Sequence, residues 1–237
     1  MALPRLLPAL FSPAAWPSQC LICRAWPARS LCPDCTARFT RPVPRCSGCA
    51  LPVPAGVPRC GACLVDPPPI DACLAAVDYA WPWTHCIARL KFHQDVGLAA
   101  ALAALLAAAP GVPQALAHAD WLLPMPLAPE RLAERGYNPA LLLARQLPHA
   151  SCRTDLLLRM RHTPPQRGLS RAARRRNVRG AFAVEAVNAQ ALQGRHVALL
   201  DDVMTTGASL HEAARALRRA GARRITAIAL ARTDAPR

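Results

Sequence analysis

The sequence predicts an α/β protein built on a parallel sheet, preceded by a small cysteine-rich module. Three observations point there. Residues 197–200 (VALL) are a continuous apolar run ending in Asp201 and Asp202, the pattern of a strand buried on both faces of a parallel sheet. The loop TTGAS follows, then Leu210, Ala213, Ala214 and Leu217 at helical spacing, Gly221 past the helix end, and the strand-like RRITAIALART. Strand, loop, helix and strand make a βαβ unit. Third, the stretch up to residue 63 carries eight cysteines at regular intervals and too few apolar side chains for a core of its own.

Composition bounds the partners. The chain has 237 residues, 53 % of them hydrophobic, enough for one domain of ordinary size plus a smaller module. Its formal net charge is +15, and because Lys91 is the only lysine nearly all of that charge is arginine. Arginine grips phosphate and carboxylate bidentately, so polyanions (nucleic acid, nucleotide, pyrophosphate) are the expected partners. A GC-rich coding sequence would also enrich arginine and alanine.

Taken in order, residues 1–17 form an N-terminal extension with prolines at 4, 8, 13 and 17 and a single basic residue, Arg5, a poor match to an export signal. A reducing, cytoplasmic compartment is therefore expected. The eight cysteines then fall as four CxxC pairs: Cys20 and Cys23, Cys32 and Cys35, Cys46 and Cys49, Cys60 and Cys63, separated by eight, ten and ten residues, with no histidine before His85. Each pair puts two thiolates on one side of a tight knuckle, and two knuckles complete a tetrahedral zinc shell. Four knuckles predict two structural zinc sites over residues 18–66, with the metal supplying most of the folding free energy. A disulfide framework would need an export signal, and a redox CxxC would be one motif rather than four in series. Consecutive pairing gives two ribbons in tandem and alternate pairing a cross-braced unit; the short spacers favour the former. Cys73, Cys86 and Cys152 lie outside the ladder and are expected to be buried apolar side chains.

The run LVDPPPID at 64–71 reads as a stiff spacer and a boundary, with a second domain over 72–237. AAVDYAWPW suggests a strand, THCIARLKFH a helix, and 97–109 an alanine-rich buried helix too short to span a membrane. ADWLLPMPL reads as another strand. Asn138 and Pro139 read as the N-cap and first position of the helix PALLLARQL. Lys91 fits equally well as a stem packed in the core and as a ligand contact. Arg131 and Arg135, which follow the second strand, are candidates for a pyrophosphate site.

Residues 159–179 hold eight arginines and no acid. Three uses suit such a segment: a mobile loop over an anion, a track for single-stranded nucleic acid, or a solvated basic face. No aromatic residue stands there for bases to stack on.

In a βαβ unit, ligands sit at the carboxyl ends of the strands, where Asp201 and Asp202 fall. Thr205, Thr206, Gly207, Ala208 and Ser209 wrap the next helix N-terminus, whose free amides and dipole favour phosphate. The carboxylates can accept from two neighbouring hydroxyls. A ligand with a phosphate at one side and a vicinal diol at the other is a ribose 5-phosphate.

DDVMTTGAS after an apolar strand resembles the phosphoribosyl diphosphate (PRPP) signature of type I phosphoribosyltransferases. The cysteine ladder, LKF at 90–92, RGYN at 135–138 and the R-x-R-x-T…Q…L…R…N series from 159 to 177 extend the likeness to the ComF family, linked to competence and DNA uptake; Tyr137 and Pro139 depart from the more usual RGFNQ. The resemblance implies a Rossmann-like sheet of the type I phosphoribosyltransferase fold with five strands and a hood. It also implies Asp201 and Asp202 as catalytic carboxylates at the ribose hydroxyls, residues 205–209 around the 5′-phosphate, and Mg²⁺ bridging pyrophosphate and ribose. Arg159, Arg161, Gln166, Arg174 and Asn177 would belong to a loop closing on the pyrophosphate. The expected activity is phosphoribosyl transfer to an unidentified acceptor. The alternative is a non-catalytic zinc-ribbon accessory of DNA uptake that binds single-stranded DNA or partner proteins and keeps the PRPP fold as sensor or scaffold.

Overall fold

The structure, a computed structural model, describes residues 18–26, 29–148, 151–160 and 176–234. Their contacts form two compact units, one within Met1–Arg41 and one within Pro42–Arg237. The strands are β1 (Ala72–Asp78), β2 (Trp121–Pro124), β3 (Leu158–Arg159), β4 (Phe182–Ala183), β5 (His196–Met204) and β6 (Arg224–Arg232). The helices are α1 (Pro33–Phe39), α2 (Gly61–Val65), α3 (Trp83–Phe92), α4 (Leu98–Ala107), α5 (Val112–His118), α6 (Pro129–Arg135), α7 (Pro139–Ala144), α8 (Ala186–Ala189) and α9 (Ala208–Arg219).

In the first unit α1 starts at Cys32, whose sulfur accepts the Cys35 amide at 3.4 Å. Cys20, Cys32 and Cys35 are buried there with Ile22 and Phe39 against them, so sulfur takes the place of a hydrocarbon core.

The second unit is built on a parallel sheet ordered β1-β6-β5-β2. The apolar runs behave as expected: β6 is buried from Ile225 to its end, and β5 is buried on both faces through Leu200. Edge strand β1 alternates instead, with every second residue buried. Register then makes the site. The last residue of β2, Pro124, pairs with Leu200, whereas β5 runs on through Asp201 to Met204 against β6 alone. Both aspartates thus stand beyond the β2 edge at the carboxyl end of the sheet.

The five strands implied by resemblance become four among the described residues. Where a fifth would lie beside β2, Cys152 makes a one-residue parallel bridge to Leu122, and the chain then bends as Leu156 and Leu157 turn into the core. Cys152 is consequently half-buried rather than buried, whereas Cys73 and Cys86 are buried as expected. The proline stretch at 64–71 lies inside the second unit, because the knuckles at 46–49 and 60–63 pack with the sheet's core rather than apart from it.

RGYN has a bracing role. The Asn138 carbonyl oxygen accepts the Ala140 amide at 3.0 Å as the N-cap of α7, while its amide nitrogen donates to the Met125 carbonyl at 2.9 Å. The Tyr137 hydroxyl donates to the Leu90 carbonyl on α3. One tetrapeptide thereby fixes the end of β2 against α3. Helix α4 buries Leu98, Ala99, Leu102, Ala103, Leu105 and Leu106. Among the described residues no single helix is long and apolar enough to cross a membrane, and α4 and α5 meet at a bend of 90°.

Candidate functional site

Asp201 and Asp202, adjacent on β5, make different contacts. Asp202 is 7 % exposed and accepts from the Lys91 ammonium at 2.6 Å, which brings α3 onto one face. Asp201 lines a pocket with Val203, Met204, Thr205, Gly207, Ala208, Ser209 and Leu210. Of the two uses open to Lys91, the structure shows its ammonium on a carboxylate.

Asp201 accepts the Asp202 amide at 2.9 Å. Burial first, and then the neighbouring Asp202 charge, raise its carboxyl; Lys91, the Asp202 amide and Arg159 pull the other way, and it settles at about 7. A carboxylate this reluctant to ionise alone is poised to accept from a hydroxyl or to meet a cation.

The loop after β5 is held open by Gly207, the N-cap of α9, at φ 76°. A β-carbon there would come within 2.5 Å of Met204 Cε and 3.0 Å of His211 Nε2. Gly207→Ala is expected to lower stability by about 1–3 kcal/mol. The control is Gly56→Ala, at φ +80° with nothing within 4 Å of the added carbon, which carries the conformational cost alone. Urea denaturation of both variants checks it: an equal loss in the two would show that Met204 and His211 yield freely. The Ala208 amide donates to Thr206 Oγ1 at 3.4 Å, and α9 is further fastened by Glu212, which accepts the Gly180 amide at 2.9 Å.

The eight ladder cysteines assemble as two consecutive sets, Cys20, Cys23, Cys32 and Cys35, and Cys46, Cys49, Cys60 and Cys63, each with its sulfurs within 4.8 Å of one another. All eleven cysteines are free, and the 3.6 Å between the Cys49 and Cys60 sulfurs far exceeds the ~2.05 Å of a disulfide. Amides point at the sulfurs: Cys32 N donates to Cys20 at 3.4 Å and Cys60 N to Cys46 at 3.3 Å. Burial raises the Cys20 and Cys46 thiols, but these and neighbouring amides outweigh it and hold them at about 6 and about 7. Burial and then the adjoining sulfurs push Cys35 up to about 12. Four sulfurs packed so closely cannot all ionise by themselves, and a soft divalent cation is what lets them. Both sets could hold a metal ion.

A phosphoribosyl transferase domain model matches residues 132–237, which include the Asp201 pocket. Over 226 residues, 92 % of this chain and 98 % of its relative, the sequence is 34 % identical to the DNA utilization protein YhgH of Salmonella typhimurium. The chain belongs to the ComF family. Competence protein F of Haemophilus influenzae is 33 % identical over 90 % of this chain and 96 % of its own. Among solved structures, that of the allosteric regulatory enzyme of purine biosynthesis aligns with 56 % of this chain at 19 % identity and a TM-score of 0.35; the chain spans only 25 % of that one.

In this ComF chain the basic candidates separate. Arg159, on β3, lies over the Phe182 ring at 5.5 Å and feels the charges of Arg131, Asp201 and Glu130. Arg135 instead lies over Phe92 at 5.4 Å. Asn177 belongs to the short helical stretch at 176–178, next to the Gly180 amide that α9 holds. Arg161, Gln166 and Arg174 lie outside the described residues. Sequence reasoning missed Arg232, a 4 % exposed guanidinium at the end of β6. Its signal was there: one charge closing the otherwise apolar ITAIALAR.

Proposed function

We propose that this protein binds PRPP with Mg²⁺ at the carboxyl end of β5 and acts as a phosphoribosyltransferase on an unidentified acceptor. One observation carries this: the hydroxyl-and-glycine loop at 205–209 and the Asp201 carboxylate line a single pocket. The loop amides at the start of α9 suit the 5′-phosphate. Asp201 and Asp202 suit the ribose hydroxyls, and Asp201 is also the hard oxygen donor on this chain that fits a magnesium ion held largely by the ligand's own oxygens. Carboxylates so placed would stabilise positive charge developing on the sugar as pyrophosphate leaves. Arg131 and Arg159 are proposed to meet the pyrophosphate, with Arg161, Gln166, Arg174 and Asn177 on the closing loop. Zinc in both four-cysteine sets would be structural, its thiolate ligands suiting a reducing, cytoplasmic compartment.

Titration calorimetry of the zinc-loaded chain with PRPP is expected to show saturable binding that requires Mg²⁺, with two zinc ions per chain by metal analysis. Absence of Mg²⁺-dependent binding would end the proposal. Pyrophosphate release against a panel of bases then separates catalysis from binding.

A second function is favoured by the +15 charge and by relatives named for DNA utilization and competence: a grip on single-stranded DNA by phosphate contacts. Its affinity is expected to fall steeply with salt in the same preparation, each contact adding ~0.7 to the logarithmic slope. A flat response removes it.

A further inference from the structure

Arg232 is the most heavily committed buried charge among the described residues. Its Nε donates to the Cys49 carbonyl at 2.7 Å, and one terminal nitrogen donates to the carbonyls of Met204 at 3.2 Å, Thr205 and Thr233. Cys49 belongs to the second cysteine set, and Met204 and Thr205 begin the loop over the Asp201 pocket. A single planar fork therefore spans a metal knuckle and the anion loop, 183 residues apart in sequence at one end and 27 at the other. Two further ties run beside it. The Cys73 thiol donates to Met204 Sδ at 3.4 Å, and the Cys73 amide donates to the Ser47 carbonyl within the knuckle at 2.8 Å. Met204 is also the side chain nearest to a β-carbon at Gly207.

We infer that Arg232 is a positioning residue that couples the second cysteine set to the loop at 205–209, so that metal bound at one and anion bound at the other strengthen each other. A metal ion fixes the knuckle and hence the direction of the Cys49 carbonyl. That carbonyl fixes the guanidinium, because a buried Arg must keep its acceptors. The guanidinium in turn holds the Met204 and Thr205 carbonyls and so fixes the backbone where the loop begins. A divalent ion on four thiolates also carries excess negative charge, which a neighbouring guanidinium offsets. Coupling of this kind is reciprocal. The loop's role in binding PRPP rests on the function proposed above; the mechanical coupling does not.

Hydrogen exchange of a peptide covering 204–210, measured on the full zinc-loaded chain, tests it without any ligand. Cys60→Ser is expected to cost one zinc ion and speed exchange at 205–209 roughly tenfold. Arg232→Lys keeps the charge but loses the fork; it is expected to keep both zinc ions, speed the same exchange by a similar factor, and add little when combined with Cys60→Ser. Cys23→Ser, in the other compact unit, is expected to leave this peptide unchanged. Loss of the second metal with unchanged exchange at 205–209, or fully additive effects of Arg232→Lys and Cys60→Ser, would overturn the inference. Should Cys60→Ser not fold, graded chelation of the wild-type chain decides: the loop peptide must loosen before the rest of the sheet, and simultaneous loosening everywhere counts against it. In the wild type, PRPP with Mg²⁺ is expected to slow zinc loss from the second set roughly tenfold. If PRPP does not bind while the exchange effect stands, the proposed function fails and the coupling survives.

Discussion

Lys91→Met is expected to destabilise the chain by about 2–4 kcal/mol, and the double variant Lys91→Met/Asp202→Asn to recover most of that loss. Asp202 has been taken out of water, and the Lys91 ammonium, its side chain 19 % exposed, is the countercharge that compensates at 2.6 Å. Removing the cation alone leaves a largely buried carboxylate without its countercharge. Removing both leaves a methionine stem and a neutral amide of similar size. A denaturation cycle over the four proteins checks this. Additive single effects would mean that the two groups do not depend on each other, and the placement of α3 against Asp202 would be wrong. The site bears on function too, since Lys91 is the group that a ligand hydroxyl reaching Asp202 would have to share.

Asp201→Asn is expected to lose at least tenfold in PRPP affinity at pH 8 while gaining about 1–3 kcal/mol of stability there. The sign follows from the folded carboxyl lying near 7 against an ordinary value of 3.8. Between those values the folded chain holds a proton that the unfolded chain has lost. This contribution to stability is therefore complete below about pH 4, declines as pH rises through 7, and is constant above. At pH 8 the wild type carries the charge that burial and Asp202 oppose, and the variant does not. Asn keeps an oxygen for the Asp202 amide but cannot accept as a carboxylate from ribose or take a share of a magnesium ion. Calorimetry and urea melts at pH 5 and pH 8 measure both halves. A variant that is less stable at pH 8 would show that the charge is stabilised by something other than the contacts described. Wild-type affinity for PRPP should likewise rise with pH through about 7, a slope that Asp201→Asn removes.

Short-range features were the most readable. CxxC spacing announced two four-sulfur sets and favoured, through short spacers, the consecutive pairing that the structure shows over the alternate one. The N-cap at Asn138 and the buried character of the strand at 197–200 follow from local steric and burial rules, and both appear in the structure. The strand count was less readable, because the fifth strand shrank to a bridge at Cys152, and nothing in the local pattern says where a partner strand stops pairing. Cys152 itself shows that an apolar residue type does not fix depth when it falls at a sheet edge. The proline stretch at 64–71 reads as a boundary on stiffness alone, yet the knuckles before it find apolar surface on the sheet.

By itself the sequence determined the α/β class with its βαβ unit, the eight-cysteine ladder and the family. Those depend on periodicity, turn chemistry and spacing, which act within a few residues. Only the tertiary structure decided that Asp201 lines a pocket while Asp202 meets Lys91 across 111 residues, and that Arg232 joins a cysteine knuckle to the loop at 205–209. Such pairings follow from strand register and from the need of each buried charge to find an acceptor or countercharge, and both are satisfied across folded space rather than along the chain.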